Sequence, residues 1–229
     1  MYETLMNPAV SSPTAPDSLS AEALTLAGQP EVATIAVVAA LAVQSAANAL
    51  SEMALREITA VSPAVRMVDL SHLSMVAGDP ERAVVAVYLG IMGDTPGHIL
   101  MAFSESMALG LVDMLLDQPA DTTTELGELE ISALAEAGNV AGSFFLTTIA
   151  DWSGHTLHPT PPVVIHEMCG AILGTLAAEL AVQEHDQAMV IDAQFTCDGQ
   201  IVDASFFMFP GDQLIRLVGK PHAIEAVLP

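Results

Sequence analysis

Basic residues are what this chain has least of: 5 lysines and arginines stand against 28 aspartates and glutamates, a formal charge of −23. A surface of that sign repels the phosphate backbone, which excludes DNA and RNA as partners and disfavours anionic membrane surfaces. A charged partner must therefore present lysine or arginine. The same charge is also consistent with a general acidic adaptation to solubility or salt. Cysteine is scarce as well. Cys169 and Cys197 are the only two, and in a chain without an export signal they are expected to be reduced and buried rather than paired. Long apolar runs are missing too. The longest, "VATIAVVAALAV" at 32–43, is followed by Gln44, Ser45 and Asn48, short of the ~20 residues a membrane span needs. A buried helix is expected there, with no membrane insertion. The amino-terminal "MYETLMNPAVSSPTAPDSLS" has neither the basic nor the apolar segment of a secretory signal, so the expected location is cytoplasmic. His155 and His158 in "SGHTLHPTPP" lie in a Pro- and Gly-rich loop without a fixed face, and no metal site is expected from them.

What the chain does have is apolar substance: 52% hydrophobic residues over 229 positions and a mean hydropathy of +0.52, enough to bury a sizeable core. Residues 1–30, rich in Ser, Pro, Thr and Ala, read as a flexible tail with a short helix at 20–27. A long helix is expected over 31–57, then a Pro-led strand "VSPAVRMVDL", strands at 82–92 and 97–105 around the turn "GDTPG", and a helix at 106–117. The pattern then restarts. "TTTELGELEISALAEAGNVAGSFFLTTIADWSG" reads as a long helix with threonines available as caps, followed by "PTPPVVIHEM" as a second Pro-led strand. An inserted helix "CGAILGTLAAELA" precedes two strands joined at Asp198-Gly199, a good hairpin signal. A closing helix "GDQLIRLV" matches the one at 106–117.

The expected fold is a single α/β domain of two pseudo-symmetric helix–strand–hairpin–helix halves, at about 31–119 and 124–220. A mostly antiparallel sheet packs against two long helices. An offset of 99 residues carries Pro63 onto Pro162 and the first long helix onto the second. Under it Val37 falls on Glu136, Ala40 on Asn139 and Ala33 on Ser132. The first helix does without the polar pair, so the pair is not demanded by the helix's structural role.

Ser132, Glu136 and Asn139 share one stripe of a helix. Gly138 and Gly142 flatten an adjacent one, at a cost of ~1 kcal/mol each against alanine. Close packing of the two long helices, or close approach of a partner, would offset that cost. Glu136 and Asn139 alone do not make a self-contained hydrolase. A carboxamide can orient water for attack on a phosphoryl group, and a carboxylate can pair with a lysine. The alternative is that both merely solvate an exposed helix face.

"SALAEAGN…PPVV" resembles the signature of the CheC/CheX/FliY family of chemotaxis phosphatases: Ser or Asp, three residues, Glu, two residues, Asn, twenty-two residues, Pro. Ser132, Glu136, Asn139 and Pro162 meet every position. "SAANALSEM" (45–53) and "EMCGAILGTLAAEL" resemble other parts of the family, so the likeness spans about 31–220 and makes 31–229 a CheC-like domain. The resemblance implies a hydrolase acting on the aspartyl phosphate of a CheY-type response regulator. Asn139 would place the water, Glu136 would pair with the regulator's lysine, and Ser132 and Pro162 would support them. It implies no cofactor on this chain, because magnesium would sit on the regulator. Family members commonly keep two sites; Val37 and Ala40 make the first degenerate, so one site is expected. The resemblance also implies CheD, a receptor-modifying deamidase, as a second partner at the helix of about 168–181. The rival readings are a non-catalytic adaptor for a regulator or CheD, and a flagellar-switch component of the same fold.

Overall fold

A 25-residue helix, α1 (Pro30–Ala54), opens the part of the chain that the computed structural model describes, residues 30–182 and 186–211, with backbone alone at 30–33 and 62. The expected tail helix at 20–27 and closing helix "GDQLIRLV" lie outside these residues. Buried Ile35, Val38, Ala39, Ala42, Val43, Ala46 and Ala47 recur every three or four positions along α1, the period of a helix with one face on the core. By length and composition Thr34–Ala54 could cross a membrane, but here that apolar face is packed into the protein core. The helix stops at Ala54, three residues before the sequence-based boundary at 57. Leu55 turns left-handed (φ 51), and the Ser51 hydroxyl accepts a 2.9 Å hydrogen bond from the Ile58 N–H. That bond turns the chain straight into the sheet.

Seven strands form one sheet: β1 (Ile58–Asp69), β2 (Ala83–Gly93), β3 (Gly97–Phe103), β4 (Leu157–Pro159), β5 (Val163–Met168), β6 (Gln187–Cys197) and β7 (Gln200–Pro210). Every pairing is antiparallel. The order is β1-β6-β7-β3-β2-β4, with β5 sharing the outer edge of β2 beside β4. This order is unchanged when β1 is exchanged with β4/β5, β6 with β2, and β7 with β3. The pseudo-axis therefore runs between β3 and β7, and each half gives its Pro-led strand to the other half's hairpin. Shifted by 99 positions, Ile58–Asp69 lands on 157–168, the span that β4 and β5 occupy together. Pro63 marks a register shift between Val61 and Ala64 in β1; Thr160-Pro161-Pro162 breaks the second copy into two strands. Proline cannot donate to a ladder, so one proline bulges the edge strand and two interrupt it. At the β6–β7 turn Asp198 (φ 50) and Gly199 (φ 78) both adopt the left-handed region, as a two-residue hairpin requires.

One face of the sheet carries α1, α2 (Glu105–Leu115) and α3 (Glu128–Ser153), with Val85, Val87, Leu89, Met101, Ile191 and Phe206 beneath them. The other face is covered by α4 (Cys169–Val182) and a 3-10 helix (Leu70–Met75), through Leu73, Leu173 and Leu176 against Val84, Ala86 and Phe207. Alternation along β2 sends odd-numbered residues to the first face and even-numbered ones to the second. The helix expected as an insertion is therefore not one. It holds the place that the 3-10 helix holds in the first half, between the edge strand and the hairpin, and the two pack together. Cys169 is buried, as expected, while Cys197 is only half-buried; both are free thiols.

Candidate active site

The start of α3 is set by glycine and acid rather than by threonine. Gly127 is the N-cap and offers no side-chain hydrogen bond, while Glu128 and Glu130 occupy the first turn, where negative charge complements the helix dipole. The threonines expected as caps are engaged elsewhere: the Thr122 and Thr123 N–H groups donate to the two carboxylate oxygens of buried Asp113 on α2, at 3.1 and 2.8 Å. Asp113 thus ties the α2–α3 loop down just ahead of the site helix. At its far end α3 closes on Gly154 (φ 71), whose N–H donates to the Ala150 carbonyl at 2.8 Å.

Gly138 and Gly142 face the sheet. A Cβ on Gly138 would run into Val87 Cγ1 and lie 3.4 Å from Met101 Cε; one on Gly142 would sit 3.1 Å from Leu89 Cδ1. Neither a helix–helix seam nor a partner's approach accounts for Gly138. The glycine lets α3 settle onto β2 and β3. This close seat turns the opposite face outward, and Glu136 and Ser132 are exposed on it with Asn139 half-buried at its margin. The structure brings these three together as expected. Their side chains have no hydrogen bond or ion pair among the described residues. The Asn139 amide keeps both its donors and its acceptor free, and Glu136 keeps a bare carboxylate.

Pro162 is half-buried in the break before β5. Val164 pairs with Val87, the residue beneath Gly138. Pro162 thus stands just before β5, two residues ahead of the position whose partner lies beneath α3. On α1 the equivalent stripe is just as accessible: Val37 is 63% exposed and Ala40 half-buried. The α1 stripe thus has comparable exposure but carries neither a carboxylate nor a carboxamide at these two positions.

The three described arginines are all paired with aspartates: Arg56 with Asp198 of the β6–β7 turn at 3.2 Å, Arg66 with Asp192 on the adjacent strand, and Arg82, just before β2, with Asp203 on β7. No described cation faces Glu136. A lone carboxylate and a carboxamide do not make a divalent-cation cage, which needs several oxygen ligands converging on one point. His155 lies 3.5 Å from Asp94 across two loops, away from α3's outer face. The arrangement can place a water molecule, accept a hydrogen bond, and receive a cation from outside.

One feature of this face was not picked out from the sequence. Leu129, Ala133, Val140 and Phe144, at i, i+4, i+11 and i+15, line up along α3 on one flank of Glu136. Ser132, Asn139 and Ser143 line the other. Leu129 and Phe144 are 61% and 49% exposed. The spacing was visible in the sequence, but a buried and an exposed apolar stripe have the same period.

The fold is a duplicated antiparallel sheet with two long helices on one face, one of them bearing a Glu/Asn couple that is unpaired among the described residues. The model of the CheC-like family matches residues 129–166, which run through α3, β4 and most of β5. The chain is 27% identical over 168 residues to the CheY-P phosphatase CheC of Bacillus subtilis (strain 168), covering 72% of this chain and 80% of the relative. Among solved structures it resembles Thermotoga maritima FliY (TM-score 0.63, 20% identity, 82% of this chain and 93% of that one). It also resembles a chain of the CheX–CheY–BeF3–Mg2+ complex from Borrelia burgdorferi (TM-score 0.52, 19% identity, 75% and 96%). The chain is thus similar to the CheC-like family in the segment that carries α3, and it shares the fold of the solved structures named.

Proposed function

We propose that this protein hydrolyses the aspartyl phosphate of a CheY-type response regulator, using the single Glu136/Asn139 site on α3. The observation that carries the reading is the free, uncompensated Glu/Asn couple on an exposed helix face, inside the segment that the CheC-like model matches. The relative and the complex named above support the substrate class by what their own names state.

Docking lays the outer face of α3 against the phosphorylated pocket. Asn139 then holds a water in line with the phosphorus. The water oxygen attacks, the bond from phosphorus to the aspartyl oxygen breaks, and its electron pair leaves on the regulator's carboxylate. The proton lost by the water goes to inorganic phosphate. Almost all the catalysis available to such a step comes from positioning and charge stabilisation. This chain supplies the positioning; the regulator supplies the lysine that pairs with Glu136 and the Mg2+ that neutralises the phosphoryl oxygens. Ser132, one turn before Glu136, and Pro162, just ahead of the edge strand β5, support the geometry. A reaction of this kind takes place in the cytoplasm. CheD is a second candidate partner, at the exposed outer face of α4.

Phosphate release from the phosphorylated CheY-type regulators of the same cell tests the reading. Wild type and Glu130→Ala are expected to accelerate release. Asn139→Ala is expected to lose about 100-fold in turnover with binding retained, the scale of one lost orienting group. Glu136→Ala is expected to weaken binding as well. The degenerate stripe on α1 favours one alternative, a non-catalytic adaptor. Tight regulator binding by wild type without any acceleration of release would establish it and remove the phosphatase.

A further inference from the structure

The flank of α3 beside Glu136 has an apolar ridge that the chemistry above does not use. Leu129 and Phe144, 61% and 49% exposed, stand about two turns before and after Glu136, with Ala133 and half-buried Val140 between them. At 1.5 Å rise per residue the ridge is ~22 Å long. The chain contains its own control for this feature. Shifted by 99 positions, the ridge falls on Pro30, Thr34, Leu41 and Ser45 of α1. The outer positions there are not large and apolar, and the central stripe is Val37 and Ala40 rather than Glu and Asn. Large apolar residues thus bracket the stripe only on the helix that keeps the polar couple.

From this we infer that Leu129 and Phe144 are docking anchors, which hold the response regulator so that Glu136 meets its lysine and Asn139 its phosphoryl group. The inference rests on the proposed function. The occupant is the regulator because the described charges on this face are all carboxylates, Glu136 with exposed Glu128 and Asp151 towards the helix ends, and no described arginine pairs with them, which asks for a cation between two apolar contacts. A second copy of this chain would bring another surface of net charge −23 against it. Glu136 and Asn139 by themselves offer little area, and exposed ion pairs contribute only ~0–1 kcal/mol. Apolar contact at both ends supplies affinity and excludes water from around the charged pair, as the rim of an interface does for its centre. The ridge therefore sets which regulators bind, through their apolar rim, while the Glu/Asn couple acts on the phosphoryl group common to all of them.

The test measures affinity and turnover separately in the full-length protein. Affinity is read with a CheY-type regulator activated by beryllofluoride, a stable tetrahedral stand-in for the phosphoryl group, and turnover with the same regulator phosphorylated. Leu129→Gln and Phe144→Gln are each expected to raise Kd and KM about tenfold, with kcat within twofold of wild type. Ile201→Gln, which removes a 73% exposed apolar residue on β7, is expected to change neither constant. Circular dichroism and melting of each variant report folding, and both targets are exposed, so little stability is at stake. Wild-type binding and turnover with unchanged Kd in both variants would overturn the docking role and leave the phosphatase standing. A fall in kcat with Kd unchanged would overturn it too, moving both residues into the reaction. Failure of wild type to bind any regulator would remove both readings.

Discussion

Gly138 decides how closely α3 sits on the sheet, and so how far its outer face projects. An added methyl there meets Val87 and Met101. The expected outcome for Gly138→Ala is a loss of about 1–3 kcal/mol from overpacking, against the ~1 kcal/mol that alanine adds to a helix interior. Gly110 on α2 has no atom within 4 Å of such a methyl, so Gly110→Ala should gain the propensity term undisturbed. Urea unfolding of the two variants measures both signs. Asp113 decides where the loop before the site helix lies. Hydrogen bonds from the Thr123 side chain and from the Thr122 and Thr123 backbone hold its carboxyl below the usual carboxylate range, outweighing the opposing effect of burial. Its contribution is therefore complete above the ordinary carboxylate pKa and is lost as pH falls through the depressed folded-state value. Asp113→Asn is expected to lower the melting temperature at neutral pH and to flatten the acid limb, in melting curves taken between about pH 6 and 2. Equal acid limbs in the two proteins would count against the depressed carboxyl.

Among the elements, α1 and α3 are copies with different surfaces. The repeat was legible from the sequence because an offset of 99 aligns helix with helix and proline with proline. The exposure of both stripes was not, because a helical period does not say which side faces solvent. Val37 at 63% exposure and half-buried Ala40 have room for the side chains their counterparts bear. The double change Val37→Glu, Ala40→Asn is therefore expected to fold as wild type and, because α1 lacks the apolar anchors, to raise phosphate release per chain only at saturating regulator, by up to about twofold. An Asn139→Ala background makes the gain easier to read, since any restored turnover comes from α1. The helix boundaries that the sequence misplaced share one cause. Ser51 and Asp113 hold the chain through hydrogen bonds to residues seven to ten positions on, Gly127 is an unassisted glycine cap, and the helix propensity of a segment carries neither signal.

Across the whole molecule, charge and topology act together. The three Arg–Asp pairs of the described residues join strands or strand ends, and 28 acids against 5 basic residues leave the surface acidic. Self-repulsion at −23 exceeds what three partly exposed pairs return, at ~0.2–1 kcal/mol each. Raising salt from low ionic strength to about 0.15 M, where the screening length is ~8 Å, is therefore expected to raise the melting temperature. A fall on adding salt would mean that the pairs dominate.

The sequence by itself determined the acidic surface, the duplication, the antiparallel hairpins with their Asp198-Gly199 turn, and the placing of Ser132, Glu136 and Asn139 on one helix stripe. All of these follow from composition, periodicity or short-range turn chemistry. The tertiary structure alone decided that the halves exchange their edge strands, that α4 and the 3-10 helix are counterparts, and that Gly138 serves the sheet. It also decided that the polar couple lies on an outward face with no partner among the described residues, beside an apolar ridge. The physical reason is common to all four: each depends on which surface of an element is covered by another, and a helix or strand of given period can bury either side until the rest of the chain closes over it.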